Sequence, residues 1–157
     1  MGAGVPISGL IGRAERMDAA NAGEHGGTYS GSPLVCAAAL AVLDVIEEEN
    51  LNQRAAEVGK KVMDTFNEWK NRYDCIGEAR GLGAMCAMEL VSDQDSKTPD
   101  KDIAGRIMKE AQKRGLLVLT AGVYGNVLRV LMPIVITDDQ LEEGLNILEE
   151  AIQAASN

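Results

Sequence analysis

Two segments carry residue types in a pattern that could do chemistry. The first runs Gly26-Gly27-Thr28-Tyr29-Ser30-Gly31-Ser32-Pro33-Leu34. Paired glycines let the backbone come close to a ligand. Thr28 adds a hydroxyl and an N–H, Ser32 is placed to cap a helix, and Pro33 suits its first turn. Free N–H groups and the helix dipole at such a start favour an anion, phosphate above all. The competing reading is a plain glycine-rich turn before a helix. The second segment is Val127-Leu128-Arg129-Val130-Leu131, an apolar strand with one cation in it. A guanidinium buried there needs a partner, because an unpaired buried charge is very costly. A ligand carboxylate held by the bidentate fork is one partner. An acid elsewhere in the chain, or a solvent-facing place on an edge strand, would serve as well.

The remaining titratable groups read as structural. Arg80 precedes a strand that contains Glu89, and His25 lies beside Glu24 in a loop. The lysines all fall on polar helix faces or in loops, without the desolvated setting that a nucleophilic lysine needs. Cys36, Cys75 and Cys86 form no C-x-x-C pair and lie far in sequence from His25, so no metal site is expected. Cys36 and Cys86 sit in apolar runs and read as small buried hydrophobes. Three thiols do not make a disulfide scaffold, and a reducing, cytoplasmic setting fits them best. The net charge of −9 argues against nucleic acid and against an anionic membrane surface as partners. No run approaches roughly 18 apolar residues, so no membrane span is expected. No signal peptide is visible at the N-terminus.

The elements that must position these residues follow from periodicity. The 157 residues, 46% of them hydrophobic, suit one domain or a piece of a larger one. Residues 1–12 read as a short strand or hairpin that starts abruptly, as if mid-fold, and residues 13–31 as a polar, glycine-rich loop. A long helix follows Ser32-Pro33. It is apolar on nearly every side from Leu34 to Ile46, which predicts burial on most faces. It then narrows to a stripe at Leu51, Ala55, Val58, Val62, Phe66 and Trp69. Glu49-Asn50 marks a point where the helix could kink or break, and Gly59 weakens the later half. Residues 80–91 read as one strand whose glycines mark a bulge or a close approach.

Beyond the polar loop 92–100, a helix runs to about Arg114, with Ile103, Ile107 and Ala111 inside and Gly115 as its stop. Leu116 to Leu119 reads as a short strand, 122–126 as a turn, and Val127 to Met132 as a second strand. Thr137 and Gln140 have capping-box spacing, and the helix they open has its stripe at Leu141, Leu145, Leu148 and Ile152. The order gives an α/β (α+β) layer, a small sheet covered by helices.

Taken in order, several of these segments resemble one known family. The markers are Gly4-Val5-Pro6-Ile7-Ser8-Gly9, then Gly12-Arg13-Ala14-Glu15, and Gly26-Gly27-Thr28-Tyr29 with Gly31-x-Pro33-Leu34. Arg80-Gly81-Leu82-Gly83-Ala84-Met85 follows, and Tyr124-x-Asn126-Val127-Leu128-Arg129 with Pro133 completes the set. The chain resembles, from Gly2 to about Ile152, the C-terminal part of the class III pyridoxal-phosphate-dependent aminotransferases. Its likeness is greatest to members that act on 4-aminobutyrate.

The resemblance implies the small domain of a fold-type I transferase over 71–157. It implies a long connecting helix over 33–70 and a strip of the cofactor-binding large domain over 1–32. It implies pyridoxal 5'-phosphate as cofactor, its phosphate bound by Thr28 with Gly27 across a homodimer interface, and the substrate carboxylate bound by Arg129. The implied reaction moves the amino group of 4-aminobutyrate, or a similar ω-amino acid, to 2-oxoglutarate.

Ser32 stands where the family usually has Asn, and Met132 where Pro or another apolar residue is common. The family's Schiff-base lysine would fall just ahead of Met1. No catalytic residue is therefore assigned within the chain, and the chain alone is expected to be inactive and to hold no cofactor. Alternatives are a relative acting on ornithine, acetylornithine or a dialkylglycine, and a non-catalytic α/β interaction or ligand-binding module.

Overall fold

A computed structural model describes residues 2–21, 23–24 and 26–156. His25 lies outside the described residues. The chain forms two compact units, one through Leu51 and one from Asn52 onward.

The first unit holds an isolated bridge between Gly2 and Val5, the short helix α1 (Ala14–Met17) and helix α2 (Pro33–Glu48). The predicted N-terminal strand is thus reduced to one bridge. The helix expected over 33–70 is two helices. Asn50 takes a positive φ of 51°, a conformation Asn tolerates better than most residues, and α3 (Leu51–Arg72) starts beyond it. Predicted burial of α2 on most faces does not hold. Ala39 is its one buried residue, while Leu34, Leu40, Leu43 and Val45 are exposed. The rest of this unit does not cover the helix, and its own Leu10 and Ile11 are exposed as well.

The second unit is an antiparallel sheet packed on helices. β1 (Ile76–Leu82), β2 (Met85–Asp93), β5 (Val127–Leu131) and β4 (Leu119–Ala121) lie side by side in that order, and β3 (Thr98–Pro99) pairs with β2. The single strand expected over 80–91 is a hairpin instead. Gly83 has φ +54° and turns the chain between β1 and β2. The strand expected at 116–119 starts later, with Leu117 exposed and Val118 buried.

Helices α3, α4 (Lys101–Lys113) and α5 (Asp138–Ser156) share one core with the sheet. Val58, Val62, Phe66 and Trp69 come from α3, Ile103, Ile107 and Ala111 from α4, and Leu141, Leu148 and Ile152 from α5. They meet Cys86, Met88, Leu90 and Leu128 of the strands. These are the positions that the helical stripes predicted. Asp100 caps α4, its carboxylate accepting from the N–H groups of Asp102 and Ile103. The capping box of α5 is closed in both directions between Thr137 and Gln140.

Gly59 of α3 sits where a methyl group would lie 1.9 Å from the carbonyl oxygen of Gly83. The helix backbone therefore rests directly on the β1–β2 turn. Gln94 closes the other end of α3, its amide donating to the carbonyls of Lys70, Tyr73 and Ile76.

Candidate functional site

Strand pairing places Arg129 in the interior of the sheet. It lies opposite Ala87 on β2 and opposite Leu119 on β4. Alternation along β5 sends Leu128 into the helix-covered core and Arg129 to the other face. That face is open: Leu82, Met85, Leu119 and Leu131 are all exposed on it. Arg129 is accordingly exposed, not buried as a cation among aliphatic neighbours would suggest. Its guanidinium makes no ion pair or hydrogen bond among the described residues. It belongs to a central strand, so it reaches solvent through the sheet face and not through an edge.

The acid nearest in register is already engaged. Glu89 lies opposite Val127, one row from Arg129, but its carboxylate accepts from Arg80 at 2.7 Å. Glu78 also lies 3.8 Å from Arg80. Arg80 thus holds both acids of this face, and the structural role read for Arg80 and Glu89 is what the side chains perform. Ala87, between the two arginines, is too small to shield Arg129. The short side chain and the diverted glutamate leave the guanidinium fork free for a planar anion.

Gly27 and Thr28 lie in the first unit. Gly27 O accepts from Ser30 N at 2.9 Å, and Tyr29 O accepts from Ser32 N at 3.2 Å, so consecutive turns lead into α2. Thr28 is exposed in the first of them. A methyl group on Gly27 would touch the Ser30 hydroxyl at 3.2 Å, and one on Gly26 would meet open space. Ser32 occupies the N-cap position but makes no side-chain cap bond, a correction to its expected role. The first-turn N–H groups of α2 therefore lack the partner that a capping hydroxyl would supply.

Gly27, Thr28, Ser30, Gly31 and Val35 line one open cavity of about 560 Å³. The residues Thr28 and Ser30, which carry hydroxyls, share that cavity with Val35 of the first turn of α2, and hydroxyls near a helix start are donors that suit a phosphate group. The residues present fit the phosphate of pyridoxal phosphate. Six of the seven lysines are exposed and Lys70 is half-buried, so none offers a desolvated amine.

Two of the three thiols read as inert. Burial pushes Cys86 and Cys75 up from the ordinary thiol range, which lowers the thiolate fraction on which reactivity depends. Cys36 is half-buried. Two features of the site escaped the sequence reading. The sparing of Arg129 by the Arg80–Glu89 pair needs cross-strand register to be seen. The buried amide of Asn126, 1% exposed, is foreshadowed only by a polar residue that opens an apolar strand.

Comparison with known proteins finds relatives that are transaminases. The family model described as aminotransferase class III matches residues 1–152. A probable 4-aminobutyrate aminotransferase of Bacillus subtilis (strain 168) is 56% identical over 98% of this chain and 35% of its own length. A 5-aminovalerate aminotransferase of Pseudomonas aeruginosa is 48% identical over 96% of this chain and 35% of its own. An amine transaminase from an uncultivated Pseudomonas species, solved in its pyridoxal-phosphate-bound form, superposes with a TM-score of 0.75 at 38% identity. That match covers 85% of this chain and 30% of the other. The chain spans about a third of the length of the curated relatives it matches.

Proposed function

The chain belongs to the aminotransferase class III family, and from that premise we propose that it supplies two anion anchors of an ω-amino acid transaminase. Gly27 and Thr28 hold the phosphate of pyridoxal 5'-phosphate, and Arg129 holds the substrate carboxylate. The observation that carries the proposal is the free guanidinium of Arg129 on the open sheet face, opposite Ala87 and clear of Glu89. The names of the relatives support 4-aminobutyrate or its one-carbon-longer homologue 5-aminovalerate as amino donor. The acceptor is 2-oxoglutarate. The working assembly is a homodimer in a reducing, cytoplasmic setting, in which Thr28 serves the neighbouring subunit.

Pyridoxal phosphate, when bound, supplies the electron sink that amino transfer needs. The chain's own residues position and neutralise. The Thr28 hydroxyl donates to a phosphate oxygen, and the N–H groups of the turn and of the first turn of α2 add their dipoles. Arg129 grips a carboxylate through two parallel N–H donors, which fixes the axis of a flexible ω-amino acid and leaves its amine at the far end. This is catalysis by orientation, in which the entropy of alignment is removed before any bond changes.

Two measurements test the reading. The chain mixed with pyridoxal phosphate, 4-aminobutyrate and 2-oxoglutarate is expected to form no glutamate, since none of its lysines is desolvated. Turnover would overturn that assignment. Glutarate titrated into the isotope-labelled chain is expected to shift the Arg129 Nε–H resonance, and Arg129→Gln is expected to abolish the response. An unmoved Arg129 signal would remove the carboxylate anchor from the proposal.

A further inference from the structure

Asn126 is the one buried polar side chain among the described residues, and it is committed to a single partner on β2. Its carbonyl accepts from Leu90 N at 2.7 Å, and its side-chain amide donates to Leu90 O at 2.8 Å. Leu90 O also accepts from Asp100 N at 3.1 Å, which ties the same point to the cap of α4. The first residue ahead of β5 is therefore fastened to one residue of β2 through two of its own atoms.

The strand beyond it is also held by Leu128 in the core and by its pairing with β4, but its outward-facing side chains carry little register information of their own. A one-residue slip of β5 is barred, since it would turn Arg129 into the core. A two-residue slip keeps every side chain on its face and exchanges one aliphatic contact for another. In one direction it sets Leu131 opposite Ala87 and Arg129 opposite Glu89. A cross-strand ion pair would reward that register and would occupy the Arg129 fork. What the slip forfeits is the bond pair at Leu90, because Asn126 would then face Ser92 and its buried amide would lose its acceptor; it would also displace β3, which pairs with Val91 and Asp93 on that side of β2.

We propose that Asn126 is a positioning residue: it pins β5 in the register that keeps Arg129 opposite Ala87 and out of reach of Glu89. The register stands on geometry alone. Its consequence for ligand binding rests on the reading of Arg129 as carboxylate anchor.

The test uses the 157-residue chain, isotope-labelled, with Asn126→Leu and Asn126→Ala. Cross-strand proton contacts of residue 129 report the register directly. In the unchanged chain they run to Ala87. In either variant they are expected to move to Glu89. Glutarate binding at Arg129 should weaken about tenfold or more, the loss that one quenched charge-assisted contact implies. A folded Asn126→Leu chain that keeps the contact of Arg129 with Ala87 overturns the proposal, even if its melting temperature falls. Loss of fold in both variants overturns it too, because Asn126 would then hold the sheet itself and not its register. Failure of glutarate to shift Arg129 in the unchanged chain would remove the anchor reading while leaving the register result standing.

Discussion

Arg129 owes its freedom to charges that are spent elsewhere, and other charges of the second unit are spent in the same way. Asp138, at the first turn of α5, accepts from Lys61 at 2.6 Å and from Arg54 at 3.0 Å, both on α3. Arg54 also donates to Ile136 O at 2.6 Å, so the loop between β5 and α5 is held by the same clamp. These bonds, that of Lys61 first, hold the Asp138 carboxyl below its ordinary range. A carboxylate depressed in the folded state contributes stability that is complete above its unfolded value and fades as pH falls through the folded one. The acid limb of unfolding should therefore be shallower in Asp138→Asn than in the unchanged chain, with neutral-pH stability slightly lower. Chemical denaturation across the acid range measures both, and an unchanged acid limb would show that the clamp is screened by solvent.

Among the elements, α3 shows how a local preference is overridden. A glycine inside a helix ordinarily weakens it relative to alanine, and Gly59→Ala would be drawn as a stabilising change on that ground. The close approach of Gly83 reverses the sign. A methyl group 1.9 Å from a carbonyl oxygen forces α3 off the hairpin turn, an overpacking that costs about 1–3 kcal/mol or more. Urea denaturation of Gly59→Ala should show that loss. A neutral or stabilised variant would mean that the turn yields.

Helices α3, α4 and α5 were legible in the sequence because a 3.6-residue stripe survives whatever packs against it, and because the Thr137–Gln140 box has fixed spacing. The β1–β2 hairpin was not legible. Apolar and glycine residues run through the turn without a polar break, so only the positive φ of Gly83 reveals it. The open sheet face was hidden for a related reason. Val127, Leu128, Val130 and Leu131 are apolar on both sides of Arg129, and alternation alone does not say which face the helices cover. The proposed anion anchors were picked out by motif order, whereas the exposure of Arg129 and the unused cap at Ser32 required coordinates.

At the scale of the whole chain, apolar surface is distributed unevenly. Core residues of the second unit are sealed although Leu82, Met85, Leu119 and Leu131 lie open on its sheet face, and the first unit leaves Leu10 81% and Ile11 99% exposed, as well as leucines of α2. Exposed apolar side chains favour association where they gather into a patch, and the net charge of −9 opposes association only over a screened range. The chain is expected to self-associate, increasingly so as salt is raised, which static light scattering would follow. A monomer at all salt concentrations would refute this. The contact of Gly59 with Gly83 carries a different consequence, for motion. Backbone packed on backbone leaves no side-chain rotamer to absorb a fluctuation, so the middle of α3 and the tip of the hairpin cannot open separately. Amide hydrogens on either side of that contact should exchange with solvent at a common opening free energy, while those of α2 exchange far sooner.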